Sequence, residues 1–125
     1  MPVERVEFKP FEKEIVAILA GHVFSVEEQA TIFAEGECWL EENHEVGYFI
    51  TVRHPLIPEK RNVIYEPSVI AEVSESCVGF VIFIDDHELE IDACAWGETN
   101  VPPDFRERVE RLKVGKIETG RLVEQ

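Results

Sequence analysis

Cys77-Val-Gly-Phe-Val-Ile-Phe-Ile-Asp-Asp-His-Glu-Leu-Glu-Ile-Asp-Ala-Cys-Ala-Trp96 reads as an apolar run, a polar break and a strictly alternating stretch. The break at Asp85–His87 suits a tight hairpin turn with Asp86 and His87 as its two central residues. That turn sets Ile84 opposite Leu89, Ile82 opposite Ile91, Phe80 opposite Ala93 and Val78 opposite Ala95, so the large aliphatics share one face. A slip of one residue would turn Leu89 and Ile91 toward water, and the apolar pattern therefore selects this register. The other face pairs Phe83 with Glu90, Val81 with Asp92, Gly79 with Cys94 and Cys77 with Trp96. It is half acid and half apolar. Something apolar should cover part of it, a helix of the same chain first and a second subunit next, so a homodimer stays open.

Upstream, Phe11, Ile15, Ile18 and Leu19 recur at helical spacing and predict an amphipathic helix from about Phe11 to Ala20. Pro10 suits its first turn and Gly21 a left-handed stop. Ser25-Val-Glu-Glu28 is a capping box preceded by Phe24 as a hydrophobic staple, which opens a second helix from Val26 to about Ala34, ending at Gly36. Cys38–Leu40 and Val46–Val52 bracket the polar turn Asn43-His44-Glu45 and predict another hairpin. The loop from His54 to Asn62 holds two prolines and exposes two aliphatics, Leu56 and Ile57. Val63–Tyr65 and Ser68–Val73 read as short strands whose junction Pro67 demotes to an edge or bend.

After the break at Gly97–Pro103, Pro103 or Asp104 starts a helix through about Leu112 with Phe105, Val109 and Leu112 on one stripe. Residues 114–123 add a last edge strand or trail off. The expectation is a single α+β domain over residues 1–125. Two N-terminal helices pack on a mostly antiparallel sheet of about five to six strands, with a C-terminal helix.

The net charge of −14 is uneven: residues 1–50 carry 11 acids against 3 bases, whereas the last 24 residues carry 5 against 6. Phosphate repels such a body, which disfavours nucleic acid as a partner; the charge suits a basic protein partner and also plain solubility, the commoner reason for it. No apolar run is long enough to cross a bilayer and the first residues lack a secretory pattern, so a cytoplasmic protein without a membrane partner is expected. Cys38, Cys77 and Cys94 form no CxxC pair and sit in expected strands, which predicts buried free thiols.

The chain also resembles a family of small bacterial proteins for which no activity is assigned. The likeness rests on a helix ending Leu19-Ala20-Gly21, the strands Val46-Gly47-Tyr48-Phe49 and Val69-Ile70-Ala71-Glu72-Val73, the run Gly79–Ile84 and the close at Trp96-Gly97-Glu98. It spans roughly residues 11–103. It implies the fold and supplies no catalytic residues.

Glu88, Glu90 and Asp92 fall on one strand face, and Asp85 and Asp86 extend the acids to the turn. Oxygen ligands of this kind suit hard cations, but no EF-hand spacing is present and a solvated strand face places acids the same way, so no metal is assigned. His22, His44, His54 and His87 have no zinc-type spacing and read as turn or surface residues. No nucleophile motif surrounds any cysteine, and a thiolate needs positive surroundings that this chain lacks. Trp96 can lie over Gly79, either as plain packing or with Gly79 and Cys94 as the floor of a small pocket. The leading functional expectation is a non-enzymatic, cofactor-free protein-binding module of the immunity or inhibitor kind, meeting its partner through Asp85, Asp86, Glu88, Glu90 and Asp92. The alternative is a small-molecule-binding protein or enzyme with a pocket near Trp96.

Overall fold

The computed structural model describes residues 3–43, 46–96, 100–118 and 121–124. In chain order the elements are β1 (Val3–Arg5), α1 (Pro10–Ala20), α2 (Val26–Glu35), β2 (Glu37–Asn43), β3 (Gly47–Arg53) and β4 (Asn62–Val73). Then come β5 (Ser76–Asp85), β6 (Glu88–Ala95), α3 (Phe105–Arg108), β7 (Lys113–Glu118) and β8 (Arg121–Glu124). The strands form one antiparallel sheet in the order β1-β2-β3-β6-β5-β4-β7-β8. The fold is α+β.

β5 and β6 pair in the register that the alternation predicts, from Val78 opposite Ala95 to Ile84 opposite Leu89. Asp86 and His87 both take left-handed φ angles, 48° and 64°, as the centre of a two-residue hairpin turn requires. β2 and β3 pair from Glu37 opposite Arg53 to Asn43 opposite Gly47; the turn residues His44 and Glu45 lie outside the described residues.

Among the described residues the sheet has eight strands where the sequence suggests five to six. β1 is too short to show alternation, yet it pairs with Trp39–Glu41 of β2. The chain after Lys113 makes a whole hairpin, β7 with β8, and docks on β4 at Ser68–Ile70. The two expected short strands around Pro67 are one strand, β4, whose register shifts between Ile64 and Val69.

The helices also differ from expectation. α1 lies on the sheet and buries Phe11, Ile15, Val16 and Leu19, with Phe11 tilted 6.2 Å from Phe80. Its last residue leads into Gly21 with a right-handed φ of −65°, and a tight turn follows in which Val23 and Phe24 donate to the Ala20 carbonyl. α2 has the capping box, Glu28 N–H to Ser25 Oγ at 3.1 Å and Ser25 N–H to Glu28 Oε1 at 2.9 Å. It buries only Ile32, so the helical layer is one helix with a companion at its side.

The expected C-terminal helix is a single turn. At Val109 the backbone is already extended, because the chain must straighten to reach β7. That turn is enough to insert Phe105, 1% exposed, among Phe11, Tyr48 and Phe80 at centroid distances of 6.1–6.4 Å.

The core fills one face of the sheet: Leu40, Tyr48, Ile50, Val52, Ile64, Val69, Phe80, Ile82, Ile84, Leu89 and Ile91, under α1 and Phe105. Ile57, expected at the surface, is fully buried, whereas Leu56 beside it is exposed. Beneath α1 sits a polar clasp around Glu12, itself fully buried. Its carboxylate accepts from the Lys9 N–H, from Tyr48 Oη at 2.8 Å, and from Arg106 Nε and Nη2 at 2.9 and 2.8 Å. Arg106 Nη2 also donates to the Glu7 carbonyl. Burial and then Glu12 push the Tyr48 hydroxyl well above its ordinary value. Burial works against the Arg106 charge, but the Glu12 hydrogen bonds and charge outweigh it and raise that group.

Candidate functional site

Alternation along the strands sends every second residue away from the core, and α1 and α2 place their buried side chains in the core rather than on that second face. The helix that the sequence suggests as a cover lies on the opposite side. Two rows cross the middle of the open face. One runs Arg5, Trp39, Thr51, Glu90, Phe83, Val63, and the next runs Glu41, Phe49, Asp92, Val81. Trp39, Phe49, Val81 and Phe83 are half-buried by their neighbours, and Thr51 is buried. The face is a band of rings and aliphatics studded with carboxylates.

The five expected partner-binding acids fall into two groups. Asp85 and Asp86 stand exposed at the hairpin end, and Glu88 is half-buried next to them. Arg53 serves this group: its Nη1 lies 2.9 Å from Glu88 Oε2 and 3.9 Å from Asp86 Oδ2, and donates to the Asp86 carbonyl. Glu90 and Asp92 belong instead to the centre of the open face, where Glu41 of β2 joins them. Among the described residues no cation pairs with Glu41, Glu90 or Asp92. Burial, then the charges of Asp92, Glu41 and Glu88, push the Glu90 carboxyl up, and burial alone pushes Asp92 up. As carboxylates these groups accept hydrogen bonds only, and no side chain among the described residues donates to them. A cationic group set among them would relieve both the repulsion and the partial desolvation.

Trp96 lies over Gly79: a Cβ added there would collide with the indole ring. The Trp96 N–H donates to the Cys77 carbonyl at 2.8 Å and extends the pairing of β5 and β6 by one step. The ring thus occupies the space above the glycine. No disulfide joins the three cysteines, as expected, but they are less buried than expected: Cys38 and Cys77 are half-buried and Cys94 is exposed. The reason is the face on which Cys94 lies. Burial, then Glu7 for Cys38 and Glu72 for Cys77, push those two thiols up, the wrong direction for a nucleophile.

His22 is exposed as expected and His44 lies outside the described residues. His54 is not a surface residue. It is 9% exposed, with Nε2 2.9 Å from Glu35 Oε1 and Nδ1 accepting from the Leu56 N–H at 3.1 Å. His87 is half-buried, its Nδ1 donating to the Ile57 carbonyl at 2.7 Å. Both rings border a cleft of about 460 Å³ with Glu35, Glu37, Arg53 and Pro55. Both imidazoles brace the loop after β3, and no hydroxyl or thiol nucleophile lines the cleft with them. Among the described residues no three His, Cys, Asp or Glu side chains converge to hold a metal ion, and no helix is long and apolar enough to cross a membrane.

Glu41, Trp39 and Phe49 are the parts of the site that sequence reasoning misses. The signal exists in part: the second hairpin sets Glu41 opposite Phe49. What the sequence lacks is the neighbour relation of β3 and β6, which puts Phe49 opposite Asp92. The chain matches no family model, no curated protein and no solved structure.

Proposed function

We propose that the protein is a non-catalytic binding module that takes a basic protein partner on the open face of its sheet. The observation that carries this reading is the set Glu41, Glu90 and Asp92, carboxylates without a cation among the described residues, held half-desolvated among Trp39, Phe49, Val81 and Phe83. Interfaces of this composition combine ring-and-aliphatic contact with complementary charge, and the charge sets association rate and partner choice. A second copy of the same face would bring like acids together, which disfavours a face-to-face homodimer at neutral pH. Immunity and inhibitor proteins of the cytoplasm are the class of binder this describes. The turn acids Asp85 and Asp86 steer at long range, while Glu90 and Asp92 with Glu41 make the contact.

The test compares the native chain with a Glu41→Gln, Glu90→Gln, Asp92→Asn variant in affinity capture from the host. The isotope-labelled chain is then titrated with the captured protein. A basic partner held by the native chain, lost from the variant and shifting amides of β3, β5 and β6 supports the reading. Equal retention by both chains, or shifts confined to another surface, overturns it.

A further inference from the structure

β4 has two halves with different neighbours. Its second half is paired on both sides, by β5 and, at Ser68–Ile70, by β7. Its first half pairs with β5 at Asn62–Ile64. Along the other side of residues 62–65 no backbone group among the described residues makes a hydrogen bond. This stretch also carries two of the chain's exposed large hydrophobics, Val63 at 38% and Tyr65 at 61%. An unpaired edge with exposed apolar side chains is a template for one more strand.

A second, independent feature adjoins it. A cleft of about 360 Å³ opens at the start of β4, with Val23, Pro58 and Ile84 as apolar walls and Lys60, Arg61 and Asn62 at the rim. The volume lies within the range of roughly 300–1,000 Å³ usual for ligand sites. The loop presenting the cations is fixed: Asp86 N–H donates to the Glu59 carbonyl at 2.9 Å, His87 N–H to the Pro58 carbonyl at 3.1 Å, and Ile57 is fully buried. Although the chain has 26 acids, neither Lys60 nor Arg61 pairs with one among the described residues. On an acidic surface this is a place that attracts a carboxylate.

We infer that the free edge at Asn62–Tyr65 and the basic cleft beside it form one site for an extended peptide bearing a carboxylate, which adds as a strand to β4. Main-chain hydrogen bonds to the edge hold the peptide extended. One apolar side chain enters the cleft against Val23 and Ile84, and Lys60 and Arg61 take the carboxylate. The occupant differs, and the edge meets the open face only at Val63, away from Glu41, Glu90 and Asp92, so either reading can fail without the other.

The probe is an acetylated eight-residue peptide of alternating valine and threonine that ends in aspartate with a free carboxylate. It is titrated into the isotope-labelled full chain. Shifted amides at residues 60–65 and Ile84, with slowed hydrogen exchange at 62–65, are the expected result. The Lys60→Gln, Arg61→Gln variant should bind about tenfold more weakly or worse, as loss of charge-assisted contacts implies. A control peptide with asparagine in place of the aspartate and an amidated end should show the same loss. Both cations are exposed, so the variant keeps its fold, which its amide spectrum verifies. Absence of protection at 62–65 with millimolar peptide, undiminished binding by the variant, or shifts centred on Glu41, Glu90 and Asp92 instead overturns the inference.

Discussion

Arg106→Ala should cost about 3–5 kcal/mol, because it strips the main counter-charge from a carboxylate that has no water to turn to. Glu12 is fully buried, and the Arg106 side chain is only 10% exposed. The guanidinium supplies two of the four hydrogen bonds that Glu12 accepts; the Lys9 N–H and Tyr48 hydroxyl that remain are neutral donors. For a chain with a total stability of about 5–15 kcal/mol this is a large share. With a urea slope of about 1.5 kcal/mol/M the midpoint should fall by roughly 2–3 M, read by the fluorescence of Trp39 and Trp96.

Arg106→Lys is the milder test. A single ammonium cannot reproduce the fork to both oxygens, and a loss of roughly 1–2 kcal/mol is expected. The double replacement Glu12→Leu, Arg106→Met removes both charges together and should recover most of the loss. If Arg106→Ala costs less than about 1 kcal/mol, or if the double variant is as unstable as the two single effects added, the clasp does not hold the charge in the way described.

Glu90→Gln should stabilise the chain at pH 7 by up to about 1 kcal/mol, the scale of like-charge relief on a half-exposed sheet face. A carboxyl raised in the folded state favours folding only while protonated. The destabilisation therefore appears as pH rises through the raised value, and the variant's advantage should vanish well below 4.5; denaturation at pH 3 and pH 7 checks it. Cys94 should react with a thiol reagent in the native protein faster than Cys38 and Cys77, and equal rates for all three would contradict the placement of Cys94 on the open face.

The parts of the fold that sequence reasoning reaches are those whose code is local. The period-two alternation from Glu88 to Ala95 permits one register, and Ser25 and Glu28 announce the start of α2 through two reciprocal hydrogen bonds. The Phe105, Val109, Leu112 stripe misleads because a helix needs every residue between the stripes to stay helical. Here one turn buries Phe105, and Val109 and Leu112 pack from extended chain. β1 has too few residues for a period. The centre of the candidate site is half legible: Glu90 and Asp92 follow from the hairpin, but Glu41 joins them only through β3, which lies beside β6 and far from it in sequence. The clasp is less legible still, since nothing near Glu12 announces a partner at Arg106.

That clasp bears on the order in which the molecule is finished during synthesis. Glu12 and Arg106 are 94 residues apart. At about 5–20 residues per second, roughly 5–20 s separate their appearance. Throughout that interval a fully docked α1 would bury a carboxylate with no counter-charge, so docking is opposed until the later segment arrives. The hairpin of β5 and β6, complete at Ala95, faces no such delay. The helix made first on the ribosome is thus among the last elements to seat.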